Sequence, residues 1–161
     1  MHNHVIRYVP DLRFSHPCAL LISGTTGAGK SHFVERLIER RGIRGKIKNI
    51  YYFMPRLEKL NIRVPRRQEL FLKTGLPTRE WLDETFKKSR RGNALIIVDD
   101  QWSSCVESKD VEYMVSYGRR HLGLSMCFLA QNFYEKSRKA ITLRFENLFS
   151  RIECLLFLET A

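Results

Sequence analysis

Gly24-Thr25-Thr26-Gly27-Ala28-Gly29-Lys30-Ser31 has the glycine spacing and the Lys-Ser ending of a Walker A loop. Glycines let the backbone wrap tightly enough for successive N–H groups to point inward at a phosphate. A helix opening at Lys30 adds partial positive charge at its N-terminus. The pattern assigns Gly24 through Ser31 to the phosphates of ATP, Lys30 to the β- and γ-phosphates, and the Ser31 hydroxyl to magnesium. A chance glycine turn is the competing reading. The full motif set between a strand and a helix makes that reading rare.

The flanking chain alternates between two periodicities. Cys18 to Ile22 is a short apolar run that feeds the loop, the first strand. From Lys30 a helix follows, with Phe33, Val34, Leu37 and Ile38 on one face, ended by Gly42 and Gly45. Ile47 to Met54 reads as a second strand stopped by Pro55, and a short strand near Leu70 to Leu72 is an option within the poorly patterned stretch 55–77. Thr78 is placed to cap a helix carrying Trp81, Leu82 and Phe86. Ala94 to Val98, Leu124 to Ala130 and Ile152 to Leu158 complete five strands, with helices expected over Lys109 to Tyr117 and Ser137 to Phe149. Alternation of this kind implies an α/β fold, a mostly parallel sheet with helices on both faces and the ligand at the carboxyl ends of the strands.

Two further motifs fall at those carboxyl ends. Leu95-Ile96-Ile97-Val98-Asp99-Asp100 has the form of a Walker B strand. Asp99 is assigned to magnesium and Asp100 to polarising the attacking water as general base. Gln131 ends the next apolar strand, where it can hold the γ-phosphate or orient water. Standing alone, either could merely end a strand; their shared position with the Walker loop favours one site. Arg119 and Arg120 are candidates for an arginine finger, with two surface arginines as an equal alternative. They precede the Gln131 strand, which places them opposite the nucleotide edge and favours action on a neighbouring subunit.

The 161 residues suffice for one domain with a real core, and 43% apolar and 11% aromatic content exclude a disordered chain. One domain over 1–161, with a lead-in over 1–17, is the expectation. Apolar runs have strand length, and Met1-His2-Asn3-His4 lacks a signal-peptide pattern, so a soluble intracellular protein without a membrane partner is expected. Cys18, Cys105, Cys127 and Cys154 form no CxxC pair, which argues against zinc or a disulfide framework. Cys18, Cys127 and Cys154 lie in apolar runs and are expected to be buried. Trp81 is expected in the core rather than at a nucleic acid. A net charge of +11 suggests a polyanionic partner, most simply nucleic acid, against the bland reading of a solvated basic surface. The basic residues are spread along the chain, so any such surface must be assembled by the fold or by an oligomer.

Arg13-Phe14-Ser15-His16-Pro17, the Walker A loop, Val98-Asp99-Asp100, and Gly118-Arg119-Arg120-His121 leading to Leu129-Ala130-Gln131-Asn132-Phe133 resemble the genome-packaging ATPases of Polinton/Maverick elements and poxvirus-type large DNA viruses. Those ATPases belong to the HerA–FtsK superfamily. The resemblance runs from about Arg13 to Leu158. It implies a P-loop NTPase of the additional-strand (ASCE) type with strands ordered 5-1-4-3-2. It also implies a ring of identical subunits that pumps double-stranded DNA into a capsid, with a capsid or portal protein as partner. Relatives commonly have proline at the place of Thr25 and continue past the last strand, so truncation at the C-terminus is part of the expectation.

Two rival functions remain open on the residues. The glycine loop also suits a small-molecule kinase, although no acceptor pocket or lid segment is evident, and the Asp99-Asp100 pair with Gln131 favours water as acceptor. A degenerate relative that binds nucleotide or DNA without turnover is the other.

Overall fold

A computed structural model of the chain describes residues 13–87, 92–131, 151–152 and 154–158. In chain order its elements are β1 (Phe14–Ser15), β2 (Ala19–Ser23), α1 (Lys30–Glu39), β3 (Ile43–Arg44), β4 (Asn49–Met54), β5 (Glu69–Thr74), α2 (Arg79–Phe86), β6 (Ala94–Asp99), α3 (Trp102–Glu107), α4 (Lys109–Tyr113), a π-helical turn over Met114–Gly118, α5 (Arg119–His121), β7 (Leu124–Ala130) and β8 (Cys154–Phe157). The strands β5-β4-β6-β7-β2-β8 form one sheet in that order, and every neighbouring pair is parallel. The five expected strands thus stand as 5-1-4-3-2, with β7 inserted between the Walker A and Walker B strands. To these the structure adds β5 at the outer edge, where the sequence had suggested only a short strand.

Side-chain character explains that order. β6 and β7 are almost wholly apolar, buried from Ala94 to Val98 and from Leu124 to Ala130 as strands covered on both faces are, with Ser125 the one polar residue in these two buried runs. β5 alternates poorly and is mostly exposed, and it lies at an edge. The pleat sends alternate residues to opposite faces, so the sheet carries two cores. On one face Val34, Leu37 and Ile38 of α1 pack on Leu20, Ile22, Leu95, Ile97, Cys127 and Leu129. On the other, Leu82 and Phe86 of α2, with Cys105, Val106, Val111 and Met114, pack on Ile96, Val98, Met126 and Phe128. Each fully buried large apolar side chain contributes about 1.5–3 kcal/mol. Trp81 meets Tyr51, Phe53 and Phe86 edge-on at 5.1, 5.0 and 5.9 Å, as a partly buried core residue.

Local signals held at α2, where the Thr78 hydroxyl accepts from the Trp81 amide at 3.1 Å. They failed at α3, whose Ser103-Ser104 pair hid a helix pinned by buried Trp102 and Cys105. The helix expected over Lys109 to Tyr117 is formed by α4 and the π-helical turn, and α5 carries it on to His121. Cys18, Cys105 and Cys127 are buried and Cys154 half-buried, all as free thiols. Burial pushes the Cys105 thiol up to about 12, which makes it inert. The lead-in pairs β1 with β3, and His16 Nδ1 lies 2.6 Å from the Ser125 hydroxyl. The helix expected over Ser137 to Phe149, Asn132, Phe133 and the segment 1–12 lie outside the described residues. Among the described residues no helix is long and apolar enough to cross a membrane.

Candidate functional site

In a parallel sheet every strand delivers its carboxyl end to the same edge. Here β2 delivers the glycine loop, β6 delivers Asp99 and Asp100, β7 delivers Gln131, and β4 delivers the segment from Pro55 to Leu60. These pieces line one cavity of about 590 Å³, with Thr26, Gly27, Gly29, Lys30, Ser31, Asp99, Asp100 and Gln131 all at its wall. Four separate stretches of sequence thus converge on a single space. Of the candidate residues, Arg119 and Arg120 stay away from it. They form α5 at the opposite edge, where Arg119 Nη1 donates to the Arg151 carbonyl at 3.0 Å and Arg120 is exposed.

Gly27 and Gly29 have φ of 82° and 89°, the left-handed region that glycine enters at no steric cost, and a side chain added at either would meet no neighbouring atom within 4 Å. The loop therefore curls around open space and turns directly into α1. Lys30 Nζ donates to the carbonyls of Gly24 and Thr25 at 2.5 and 3.0 Å, so its charge is held at the rim of the loop. Gln131 Nε2 donates to the Thr26 hydroxyl at 2.8 Å and ties the end of β7 to the glycine loop.

Asp99 is the least exposed carboxylate of the site. Burial raises its pKa above the ordinary range, and the charges of Asp100 and Glu58 push the same way, while a hydrogen bond from Tyr52 and the charge of Lys30 oppose them. Tyr52 Oη donates to Asp99 Oδ2 at 2.8 Å. Burial and the neighbouring carboxylate push the phenol well above its usual value, so Tyr52 remains a donor throughout the physiological range. Asp100 is exposed at the cavity, with φ of 53° and its amide on the Leu129 carbonyl at 3.2 Å. Aspartate tolerates that left-handed backbone better than most side chains, and strain of this type collects at functional sites.

The donor set fits magnesium and a nucleotide triphosphate. The Ser31 hydroxyl and the Asp99 carboxylate share the cavity with Lys30 and with Gly27 and Gly29 of the glycine loop. Among the described residues no group of three or more His, Cys, Asp or Glu could hold a metal. Magnesium takes one or two protein ligands and fills its shell with phosphate oxygens and water.

Sequence reasoning missed three parts of this site. Tyr52 lies in a buried strand, and only the β4–β6 register, with Tyr52 opposite Ile97, brings its hydroxyl to Asp99. Arg56 and Glu58 follow β4 in the stretch that carries no clear pattern, yet both line the cavity. Strand ends beside a Walker B strand are the signal that could have flagged them.

The strand order, the inserted strand and the glycine loop entering α1 define the P-loop NTPase fold of additional-strand type. No protein-family model matches the chain, and no curated protein does. Among solved structures it is similar to the X-ray structure of the Legionella pneumophila ATPase DotB, at 15% identity and a TM-score of 0.47, over 86% of this chain and 40% of that one.

Proposed function

We propose that this chain is an ATPase that moves double-stranded DNA, working as a ring of identical subunits in genome packaging. The observation that carries the hydrolytic part is the convergence of Lys30, Ser31, Asp99, Asp100 and Gln131 on one cavity at the carboxyl edge. Lys30 exchanges its bonds to the Gly24 and Thr25 carbonyls for the β- and γ-phosphates. Ser31 and Asp99 hold magnesium, which when bound neutralises charge on the phosphates. Asp100 accepts the proton of the attacking water, and Gln131 orients that water or the γ-phosphate. Gln131 is already tied to the glycine loop through Thr26, so occupancy of the loop bears directly on its position.

DNA as the partner is supported by the net charge of +11, and packaging by the resemblance over Arg13-Phe14-Ser15-His16-Pro17 and the Arg119 to Phe133 segment. A capsid or portal protein is the partner that this reading calls for. ATP hydrolysis measured with and without duplex DNA tests it. Turnover that rises with DNA supports the motor. Turnover only with a small-molecule acceptor supports the kinase, and binding without turnover supports a degenerate module.

A further inference from the structure

The same parallel geometry that gathers the acidic and phosphate-binding groups at one edge sends the ends of the connecting segments to the other. Arg40-Arg41 follow α1, which runs back against the strands, Arg66-Arg67 precede β5, and Arg119-Arg120 precede β7. The described double-arginine pairs therefore all lie at the amino edge of the sheet, away from Asp99 and Asp100. Two of the pairs are joined directly, since Arg41 Nη2 donates to the Arg66 carbonyl at 2.8 Å. The Arg63 amide meets Glu39 at 3.4 Å, and Gln68 Nε2 donates to the Ile47 carbonyl at 2.9 Å, which fastens this loop against α1 and the start of β4.

A second, independent observation concerns the backbone. Among the described residues four non-glycines have positive φ: Asn93, Asp100, Arg41 at 50° and Arg67 at 72°. Asparagine and aspartate are the side chains that tolerate this region best. Arginine has no such advantage, yet two of the four are arginines of this one corner. Arg40, Arg41, Arg66 and Arg67 are all exposed, and none is in a salt bridge among the described residues. The left-handed backbone at Arg41 closes the C-terminus of α1, where the Gly42 amide donates to the Leu37 carbonyl at 2.7 Å, and that at Arg67 closes a turn in which the Gln68 amide donates to the Pro65 carbonyl at 3.1 Å, so both arginines are held in place by their backbones. A solvated basic surface does not need such crowding of like charges, and a polyanion laid along the corner would offset it.

We propose that the amino edge of the sheet, centred on Arg40, Arg41, Arg66 and Arg67, is the surface that grips the phosphodiester backbone of duplex DNA. This rests on the reading of the chain as a DNA-moving ATPase and names the face of the molecule that does the holding. α1 then joins the two functions physically. Its first residue, Lys30, belongs to the nucleotide loop and its C-terminus delivers Arg40-Arg41, about 15 Å away at 1.5 Å per residue. A shift of the loop on nucleotide phosphates moves the arginines as one rigid body.

The test is fluorescence anisotropy of a labelled, mixed-sequence duplex, titrated with salt between about 50 and 200 mM. The edge variant combines Arg40→Gln, Arg41→Asn, Arg66→Gln and Arg67→Asn, which removes four charges while giving the two left-handed positions a residue suited to them. A comparator carries Lys59→Ala, Lys73→Ala, Arg79→Ala and Lys109→Ala, the same charge loss on other faces. The slope of log affinity on log salt should shrink by about 3.6 in the edge variant if four phosphate contacts are lost at about 0.9 each, and affinity at low salt should fall at least about tenfold. The comparator should keep the slope of the wild type, and ATP affinity should be unchanged in both. An edge variant with the wild-type slope overturns this surface and leaves the DNA reading intact. Wild-type protein that does not bind duplex even at low salt overturns the DNA reading itself.

Discussion

Tyr52→Phe removes one oxygen atom and leaves the packing of β4 in place. Tyr52 is 1% exposed, and its hydroxyl donates to Asp99 at 2.8 Å. A hydrogen bond to a charged group is worth about 1.5–3 kcal/mol. For a domain of this length each kcal/mol moves the thermal midpoint by roughly 2–4 °C, so the variant should melt roughly 3–12 °C below the wild type at pH 7. The loss should depend on pH. Burial already raises the Asp99 pKa, and the phenol is the first group opposing that rise, so its removal lifts the pKa further. The bond favours the ionised carboxylate. The gap in stability should therefore be widest above the Asp99 pKa and narrow as pH falls through it. Magnesium binding calls for the ionised form as well, so half-maximal ATP hydrolysis should need several-fold more magnesium in the variant, with magnesium-free nucleotide binding unchanged. Melting curves from pH 4 to 8 and a magnesium titration of ATPase activity read both effects. A gap of constant size across that range, with an unchanged magnesium requirement, would refute the argument that Tyr52 acts through the Asp99 charge.

Lys30→Ala should abolish or greatly weaken ATP binding by calorimetry, because Lys30 is the one cation within the glycine loop; unchanged affinity would sink the assignment. Asp99→Asn should lose magnesium-dependent binding while gaining stability at neutral pH. A carboxylate whose folded pKa lies above its unfolded one favours folding only at low pH, and that contribution is lost as pH rises through the window between the two values, so the gain should vanish near pH 4. Asp100→Asn should leave ATP bound but unhydrolysed, and a native rate in single-turnover assays would assign the base elsewhere, with Glu58 the next carboxylate at the cavity. Alanine at Arg119 and Arg120 should leave ATP binding intact and slow hydrolysis, and mixing with Lys30→Ala subunits should restore part of the rate. If mixed rings form and nothing is restored, these arginines do not reach a neighbour's site.

Legibility followed the range of the signal. The Walker loop, the Asp99-Asp100 strand end and the Thr78 cap are local patterns whose physics acts within a few residues, and they were readable directly. β6 and β7 were readable because strands buried on both faces are near-continuous apolar runs, broken here only by Ser125. β5 was only partly legible, since an edge strand is mostly exposed and its three central apolar residues, Leu70 to Leu72, give no clean alternation; Leu70 touches the core and Phe71 stacks on Tyr51 at 5.1 Å only once β5 lies beside β4. α3 was hidden because its burial rests on Trp102 and Cys105 meeting partners far along the chain, Phe128 among them at 5.6 Å from Trp102.

The amino-acid sequence by itself determined the glycine loop between a strand and a helix, the two carboxylates at a strand end and the alternation that calls for a mostly parallel sheet. Glycine spacing, apolar period and charge at strand ends are properties of neighbouring residues and need no partner. Only the tertiary structure decided that Tyr52 holds Asp99, that Gln131 clasps Thr26, that Arg56 and Glu58 face the cavity, and that Arg41 meets Arg66 at the far edge. These are contacts between strands or loops that share an edge, and they depend on register and strand order. A slip of one residue between β4 and β6 would send Tyr52 to the other face of the sheet, yet it would leave every local pattern in the chain as it is.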